Sequence, residues 1–264
     1  MARRTAVITG ASSGIGAVFA QRLAAEHDLL LIARRKDRLE SLAAALSAKY
    51  GSSVKVVQAD LTSEHDLQVV ADEIAAASDI ALLVNNAGFG TKGLFWQTNL
   101  EEQERMHRLH IIATVRLSHV VLQKMVKNNS GGIINVASVS AFVRRSGSAS
   151  YGATKNWMTA FTEALYLELK GVKSAVKVQA LCPGFTYSEF HDAMKADRGR
   201  IAPPSLWLRA EYVVDESLRA LPRGEMFVIP GWRYKAIVAL ATKLPTSMRL
   251  TFEAAGTKKK SGSK

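Results

Sequence analysis

Seven short apolar segments, at residues 5–9, 29–33, 54–59, 80–85, 133–137, 176–181 and 226–229, recur along the chain with helix-length stretches between them. Segments of this length, rich in Val, Ile and Leu and bounded by turn formers, read as strands. Parallel strands need crossovers of a dozen or more residues, usually helices, so the alternation predicts an α/β fold with a doubly wound, parallel, seven-stranded sheet and helices on both faces. The stretch from 63 to 77 carries the required stripe at Leu67, Val70 and Ile74. A chain of 264 residues with 48% hydrophobic side chains can bury a full core, and no internal repeat or long linker interrupts the series. One domain over residues 1–252 is expected.

The first strand runs into Gly10-Ala11-Ser12-Ser13-Gly14-Ile15-Gly16 and then a helix whose inner face carries Phe19 and Leu23. Strand, glycine loop and helix in that order form a phosphate cradle, because the first-turn amides of the helix have no intrahelical partner. Gly10 permits the tight turn, Gly14 lets the backbone approach a pyrophosphate, and Gly16 lets the helix pack closely. The spacing is G-x-x-x-G-x-G, which by itself is moderate evidence for a dinucleotide site.

Tyr151 and Lys155 stand four residues apart in Tyr-Gly-Ala-Thr-Lys, thirteen residues after Ser138, which ends the apolar run Gly-Gly-Ile-Ile-Asn-Val-Ala-Ser. Four residues is one helical turn, so the ammonium and the phenol share a face. A fixed cation lowers a phenol pKa from its usual value near ~10, which suits the tyrosine to acid–base work.

Taken together these motifs resemble the short-chain dehydrogenase/reductase family, from about Thr5 to about Pro245. Asp60-Leu61 is similar to its adenine-contacting pair, Asn85-Asn86-Ala87-Gly88 to its strand-four motif, and Pro183-Gly184 with Thr186 and Ser188 to the stretch bordering the nicotinamide. The resemblance implies a Rossmann-like fold and hydride transfer between nicotinamide and a carbonyl or carbinol carbon. It implies Tyr151 as general acid/base, Lys155 as its partner and ribose ligand, and Ser138 as hydrogen-bond donor to the substrate oxygen. Cofactor contacts then fall on Gly10, Ser12, Ser13, Gly14, Ile15, Gly16, Asp60, Leu61, Asn86, Ala87, Gly88, Pro183, Gly184 and Thr186, besides Tyr151 and Lys155. One departure stands out: where the family usually carries an asparagine supporting a water chain to the lysine, this chain has His110, a second candidate proton carrier.

The second strand ends in Arg34-Arg35-Lys36. NAD sites place an acidic residue there for the ribose 2′-hydroxyl, whereas a guanidinium pairs with a 2′-phosphate, so NADP is the expected cofactor, with Arg34 as its first ligand, Arg35 as its second and Ser12 adding a hydroxyl. Residues 185–209 resemble the family's lid and carry Phe185, Tyr187, Phe190, Met194, Pro203, Pro204 and Trp207, which suits a lipophilic carbonyl or alcohol. Phe142, Arg144 and Arg145 flank the same cleft.

Net charge is +12, but four lysines crowd into residues 258–264 of a Gly/Ser/Lys tail expected to be disordered over 253–264, and the remaining charges are mixed. No basic stripe interleaved with aromatics argues for nucleic acid. Residues 232–252 form a basic amphipathic stretch interrupted by Pro245, read as a helical cover over the pocket or a neighbouring subunit, with peripheral membrane contact as the lesser reading. Cys182 reads as a buried small hydrophobe, His107 and His119 as packing or surface residues, and no metal site is expected. A cytoplasmic homodimer or homotetramer acting on a small carbonyl or alcohol is the expectation. The alternative is a catalytically weak NADP-binding regulator or scaffold of the same fold.

Overall fold

The computed structural model describes residues 3–189 and 202–251. Phe190 and Met194 of the expected lid, Phe252 and the tail 253–264 lie outside the described residues.

The elements alternate as the sequence predicts: β1 (Thr5–Thr9), α1 (Gly14–Leu23), β2 (Asp28–Ala33), α2 (Lys36–Tyr50), β3 (Val54–Gln58), α3 (Glu64–Ala76) and β4 (Ile80–Asn85). Then follow α4 (Leu100–His107), α5 (Ala113–Lys127), β5 (Gly132–Val136), α6 (Ala149–Gly171), β6 (Lys177–Leu181), α7 (Ala210–Ala220), β7 (Phe227–Val228) and α8 (Trp232–Lys243). The sheet order is β3-β2-β1-β4-β5-β6-β7, with every pairing parallel. The chain works outward from β1 to β3 and then returns to β4 on the other side. Strand order therefore reverses between β1 and β4, and their carboxyl ends leave a crevice for a ligand.

Alternation along the strands divides the core. Ala6 and Ile8 of β1, Leu29 and Leu31 of β2, and Leu82 and Val84 of β4 pack with Phe19, Leu39, Leu46 and Val213 from α1, α2 and α7. Val7, Leu30, Ile32 and Leu83 face the other way, onto Val70, Ile74, Leu117, Val121 and Leu165 from α3, α5 and α6. The central strands thus bury both faces, as a parallel sheet between helices requires. The edges are weaker. β3 is partly exposed along its length, and β7 shrinks from the expected four residues to two because it pairs with β6 alone and Pro230 follows.

The long helix after Asn99 is not one regular helix. Asn99 caps α4 by accepting a hydrogen bond from the Glu102 N–H at 3.1 Å, and α4 continues into α5 through a π-turn over Arg108–Ile112. Single π-turns inside helices insert a residue and occur frequently where a side chain must be aimed. Here the residue turned inward is His110, with no exposed surface. The C-terminal stretch likewise divides: α8 ends before Pro245, and residues 246–251 are helical again.

Candidate active site

The glycine loop is fixed from beneath by Thr9. Its hydroxyl accepts hydrogen bonds from the N–H groups of Asn86 and Ala87 at 2.9 and 3.0 Å and donates to Val84 O, while the Asn86 amide donates to the carbonyls of Thr9 and Gly10. Asn86 therefore holds the loop rather than projecting from it. Gly10 and Gly14 both adopt positive φ. A Cβ at Gly10 would lie 2.8 Å from Asn86 Nδ2, and one at Gly16 would lie 2.4 Å from Gly10 O. Neither separation is tolerated, so both positions require glycine. No side chain caps the amides at the start of α1, because Ser13 is engaged elsewhere, and its first turn carries no acid. Positive-φ glycines and free helix amides at the switch point are what a pyrophosphate requires, and the residues present fit a dinucleotide.

Arg35, not Arg34, is the guanidinium turned onto this loop. It donates to Ser12 Oγ at 3.3 and 3.1 Å and to Ser13 Oγ at 2.8 Å, whereas Arg34 is exposed. The expected order of the two arginines is reversed. A strand alternates its side chains, so of two consecutive residues at its end only one can point back to the loop. At the end of β3, Asp60 accepts from the Thr62 N–H and hydroxyl at 3.0 and 2.9 Å and pairs with Arg105, and Leu61 is buried. Burial would raise the Asp60 carboxyl, but the Thr62 hydrogen bonds and the charges of Arg34 and Arg105 hold it below the usual range.

Ser138 follows β5, and its hydroxyl accepts from the Ser140 N–H at 3.1 Å and hydrogen-bonds to the Tyr151 phenol. Tyr151 and Lys155 share one face of α6, as their spacing requires. Lys155 Nζ lies 5.8 Å from the Tyr151 ring centroid and donates to Val136 O at 2.8 Å. Burial pushes the lysine down to about 7 and the phenol up to about 12, the Ser138 hydrogen bond working against the latter. The expectation that the lysine lowers the phenol pKa is thus not met: the lysine donates to Val136 O, and desolvation dominates.

His110 completes the group. Its ring lies edge-on to Tyr151 with centroids 6.0 Å apart, and Nδ1 is 2.9 Å from Thr154 Oγ1. The Thr154 hydroxyl donates its only proton to Tyr151 O at 2.9 Å. It can therefore only accept from His110, which places the imidazole proton on Nδ1 and leaves Nε2 as a lone pair. Nε2 is buried without a hydrogen-bond partner. It faces the same small space as the lysine, since a methyl built on Gly88 would lie 2.8 Å from His110 Nε2 and 3.7 Å from Lys155 Nζ. Burial, then the charges of Lys155 and His107, hold His110 well below its ordinary value, so the ring is neutral at pH 7.

Beyond β6, Cys182 is fully buried, as expected of a small hydrophobe, and Pro183-Gly184 turns under Tyr234 of α8. A Cβ on Gly184 would fall 2.0 Å from the Tyr234 ring, and the Tyr234 hydroxyl accepts from the Phe185 N–H and donates to Leu206 O at 2.5 Å. Thr186 is buried, its hydroxyl donating to Gly184 O at 3.1 Å. Residues 185–187 pair with Leu208, and Phe185 and Tyr187 both lie against Trp207, with centroids 5.5 and 5.1 Å away. Arg145 sits over Phe185, while Phe142 turns from the cleft to pack on Phe227. His107 and His119 are exposed, and no cluster of metal-ligating side chains occurs among the described residues.

Sequence reasoning missed Thr154 and Tyr234. Thr154 lies inside the Tyr-Gly-Ala-Thr-Lys motif, where its spacing of three from Tyr151 was the available signal, but Tyr234 lies fifty residues beyond Gly184 with no local signal.

The profile described as short chain dehydrogenase matches residues 4–199. A short-chain dehydrogenase from Sphingobium yanoikuyae, solved in complex with NADPH, is 36% identical with a TM-score of 0.82, covering 92% of this chain and 97% of its own. The bulky-bulky ketone specific alcohol dehydrogenase from Comamonas testosteroni is 33% identical with a TM-score of 0.77, covering 92% and 95%. The NADP-dependent 3-hydroxy acid dehydrogenase of Schizosaccharomyces pombe is 31% identical over 237 residues, 86% of this chain and 90% of that protein.

Proposed function

The chain belongs to the short-chain dehydrogenase family, and on that premise we propose that it is an NADP(H)-dependent oxidoreductase interconverting a lipophilic carbonyl compound and its secondary alcohol, with Tyr151 as general acid/base. The observation that carries this reading is the convergence of Ser138, Tyr151, Lys155 and His110 beside a glycine loop that leads into a helix with no side-chain cap and whose flank holds Arg35.

The nicotinamide, when bound, supplies or accepts the hydride. The protein's residues manage the oxygen and its proton. Ser138 and Tyr151 are hydrogen-bonded to each other and so can address one substrate oxygen, Ser138 donating to it as negative charge develops and Tyr151 delivering the proton. Lys155 Nζ lies 5.8 Å from the centre of the phenol ring, and the lysine has two duties, to favour the phenolate and to hold the ribose. Behind it the His110 Nε2 lone pair is an acceptor for a proton leaving the lysine side of the cleft, with the tautomer held by Thr154. Gly10, Ser12, Ser13, Gly14, Ile15 and Gly16 take the pyrophosphate, Asp60, Leu61, Ala87 and Gly88 the adenosine side and the crevice, and Pro183, Gly184 and Thr186 the nicotinamide. Arg35 takes the 2′-phosphate ahead of Arg34.

Residues 185–209 serve as the lid, and Phe185, Tyr187 and Trp207 give it an apolar inner surface suited to a bulky substrate. The similarity to a bulky-ketone dehydrogenase points the same way. We also read the chain as a cytoplasmic homodimer or homotetramer, supported by the apolar side chains Ile112, Val115 and Leu167, which are 47%, 40% and 60% exposed. Light scattering on the purified protein tests that reading, and a monomer at micromolar concentration refutes it.

The test of function is NADPH consumption across a panel of bulky ketones, beside Tyr151→Phe. The variant keeps the ring and its packing and loses the proton donor, so turnover should fall by roughly 10²-fold to 10⁴-fold while melting temperature and NADPH affinity persist. Unchanged turnover in Tyr151→Phe removes the assignment. NADPH binding with no turnover on the whole panel, in both directions, favours the regulator reading.

A further inference from the structure

Glu189 stands at the start of the expected lid but reaches across to the cofactor loop. Its carboxylate oxygens divide between two guanidinium groups: Oε2 pairs with Arg35 Nη1 at 2.7 Å, and Oε1 pairs with Arg38 Nη1 from the first turn of α2. The same Arg35 is held by Ser12 Oγ and Ser13 Oγ through its other nitrogens, so the carboxylate, two arginines and two serines form one cluster on the glycine loop. Its neighbour Ser188 lies over the loop, with Cβ 2.9 Å from where a side chain on Gly14 would begin. Residues 188 and 189 therefore cover the surface that a dinucleotide's phosphates need.

A carboxylate shared between two guanidinium groups is a small copy of a phosphomonoester: two oxygens, one charge, and a fork of N–H donors on either side. A phosphate brings three oxygens and nearly twice the charge, so it outcompetes the carboxylate for the same donors. A ribose bearing only hydroxyls cannot, since it offers the arginines no charge in exchange. We propose that Arg35 and Arg38 together form the 2′-phosphate subsite and that Glu189 is its resident anion, displaced by a cofactor that carries the phosphate and retained against one that does not. The inference rests on the NADP reading and deepens it. It makes Arg38 a ligand and Glu189 a competing anion that tempers 2′-phosphate affinity, since the carboxylate must leave its two arginines before the phosphate can take them, while an adenosine ligand lacking the phosphate leaves the cluster in place. The three side chains are 41%, 44% and 47% exposed, so a ligand arriving from solvent meets the cluster directly.

Two adenosine probes test it by calorimetric titration: 2′,5′-ADP, which carries the phosphate, and 5′-ADP, which does not. Glu189→Gln keeps the shape and removes the charge. Two partly exposed ion pairs are lost from the free protein, so 2′,5′-ADP should bind about fivefold more tightly to the variant, while 5′-ADP changes by less than about twofold. Arg38→Gln should weaken 2′,5′-ADP about fivefold, and in that background the gain from Glu189→Gln should shrink. All these groups lie at the surface, and melting curves of each variant establish that it is folded. An unchanged 2′,5′-ADP affinity in Glu189→Gln, or equal tightening of both probes, overturns the proposal while a wild-type preference for 2′,5′-ADP leaves the NADP reading intact. Equal wild-type affinity for the two probes removes the NADP reading and the proposal with it.

Discussion

Lys155 should make the folded protein less stable than it would be without it, by an amount that depends on pH. Its side chain is buried, and burial holds its pKa at about 7 against an unfolded value of 10.5. The folded pKa is depressed for a base, so the unfolded chain binds more protons between those values, and stability rises with pH across that window. Below pH 7 the penalty is fully present, and by pH 10.5 it is gone. At 1.36 kcal/mol per pH unit, and with the lysine already half deprotonated at pH 7, the penalty falls by roughly 2 kcal/mol between pH 7 and pH 9. Lys155→Met removes the titration but leaves Val136 O without its donor, an offset of roughly 1–3 kcal/mol that does not depend on pH. The informative quantity is therefore the change in the difference between the two proteins, not the difference at one pH. Urea denaturation of both at pH 7, 8 and 9 should show the Met variant ahead at pH 7 and losing roughly 2 kcal/mol of that advantage by pH 9. Parallel stability profiles would refute the reasoning, because they would mean that the lysine carries its charge in the fold at all three values.

Gly16→Ala places a methyl 2.4 Å from Gly10 O, so the loop must open, and NADPH binding should weaken by at least about tenfold in a fluorescence titration while the protein stays folded. Arg35→Gln should cost more NADPH affinity than Arg34→Gln, by about fivefold, because Arg35 alone of the pair reaches Ser12 and Ser13; equal losses would reverse the assignment. Tyr234→Phe keeps the ring over Gly184 but loses the hydroxyl that joins Phe185 N to Leu206 O, and should destabilise by about 1–2 kcal/mol in urea while raising the KM for ketones more than it lowers kcat.

The fold was legible because its signal is long-ranged and redundant. Seven strands each announce themselves by composition, and an error of a residue or two at 133–137 or 176–181 leaves the parallel order intact. The glycine loop was legible for another reason: Gly16 has no room for a Cβ, and such a constraint must appear in the sequence. Side-chain direction at an element's end carries no comparable mark. Arg34 and Arg35 are equivalent in composition, and only the strand's alternation, with its ending residue known, says which one turns to the loop. The Tyr151–Lys155 spacing correctly put both on one face of α6, yet it says nothing of Val136 O, the carbonyl to which the lysine donates. The π-turn at Arg108–Ile112 was illegible too, since nothing in the residues distinguishes it from regular helix.

The clamp of Tyr234 over Gly184 has a bearing on how the site is assembled in time. Chains are made from the N-terminus and domains tend to fold as they emerge. By residue 155 a nascent chain already holds Ser138, Tyr151, Lys155 and His110, together with the phosphate loop and five of the seven strands. The Pro183-Gly184 turn, proposed above as a nicotinamide contact, has no lock until α8 is made, because the ring that covers Gly184 and the hydroxyl that ties Phe185 to Leu206 belong to residue 234. A product broken off shortly before that point would hold Ser138, Tyr151, Lys155 and His110 and still lack the latch over Gly184. The α8 helix is thus the fold's proofreading step: the turn after β6 is locked only once residue 234 has been translated.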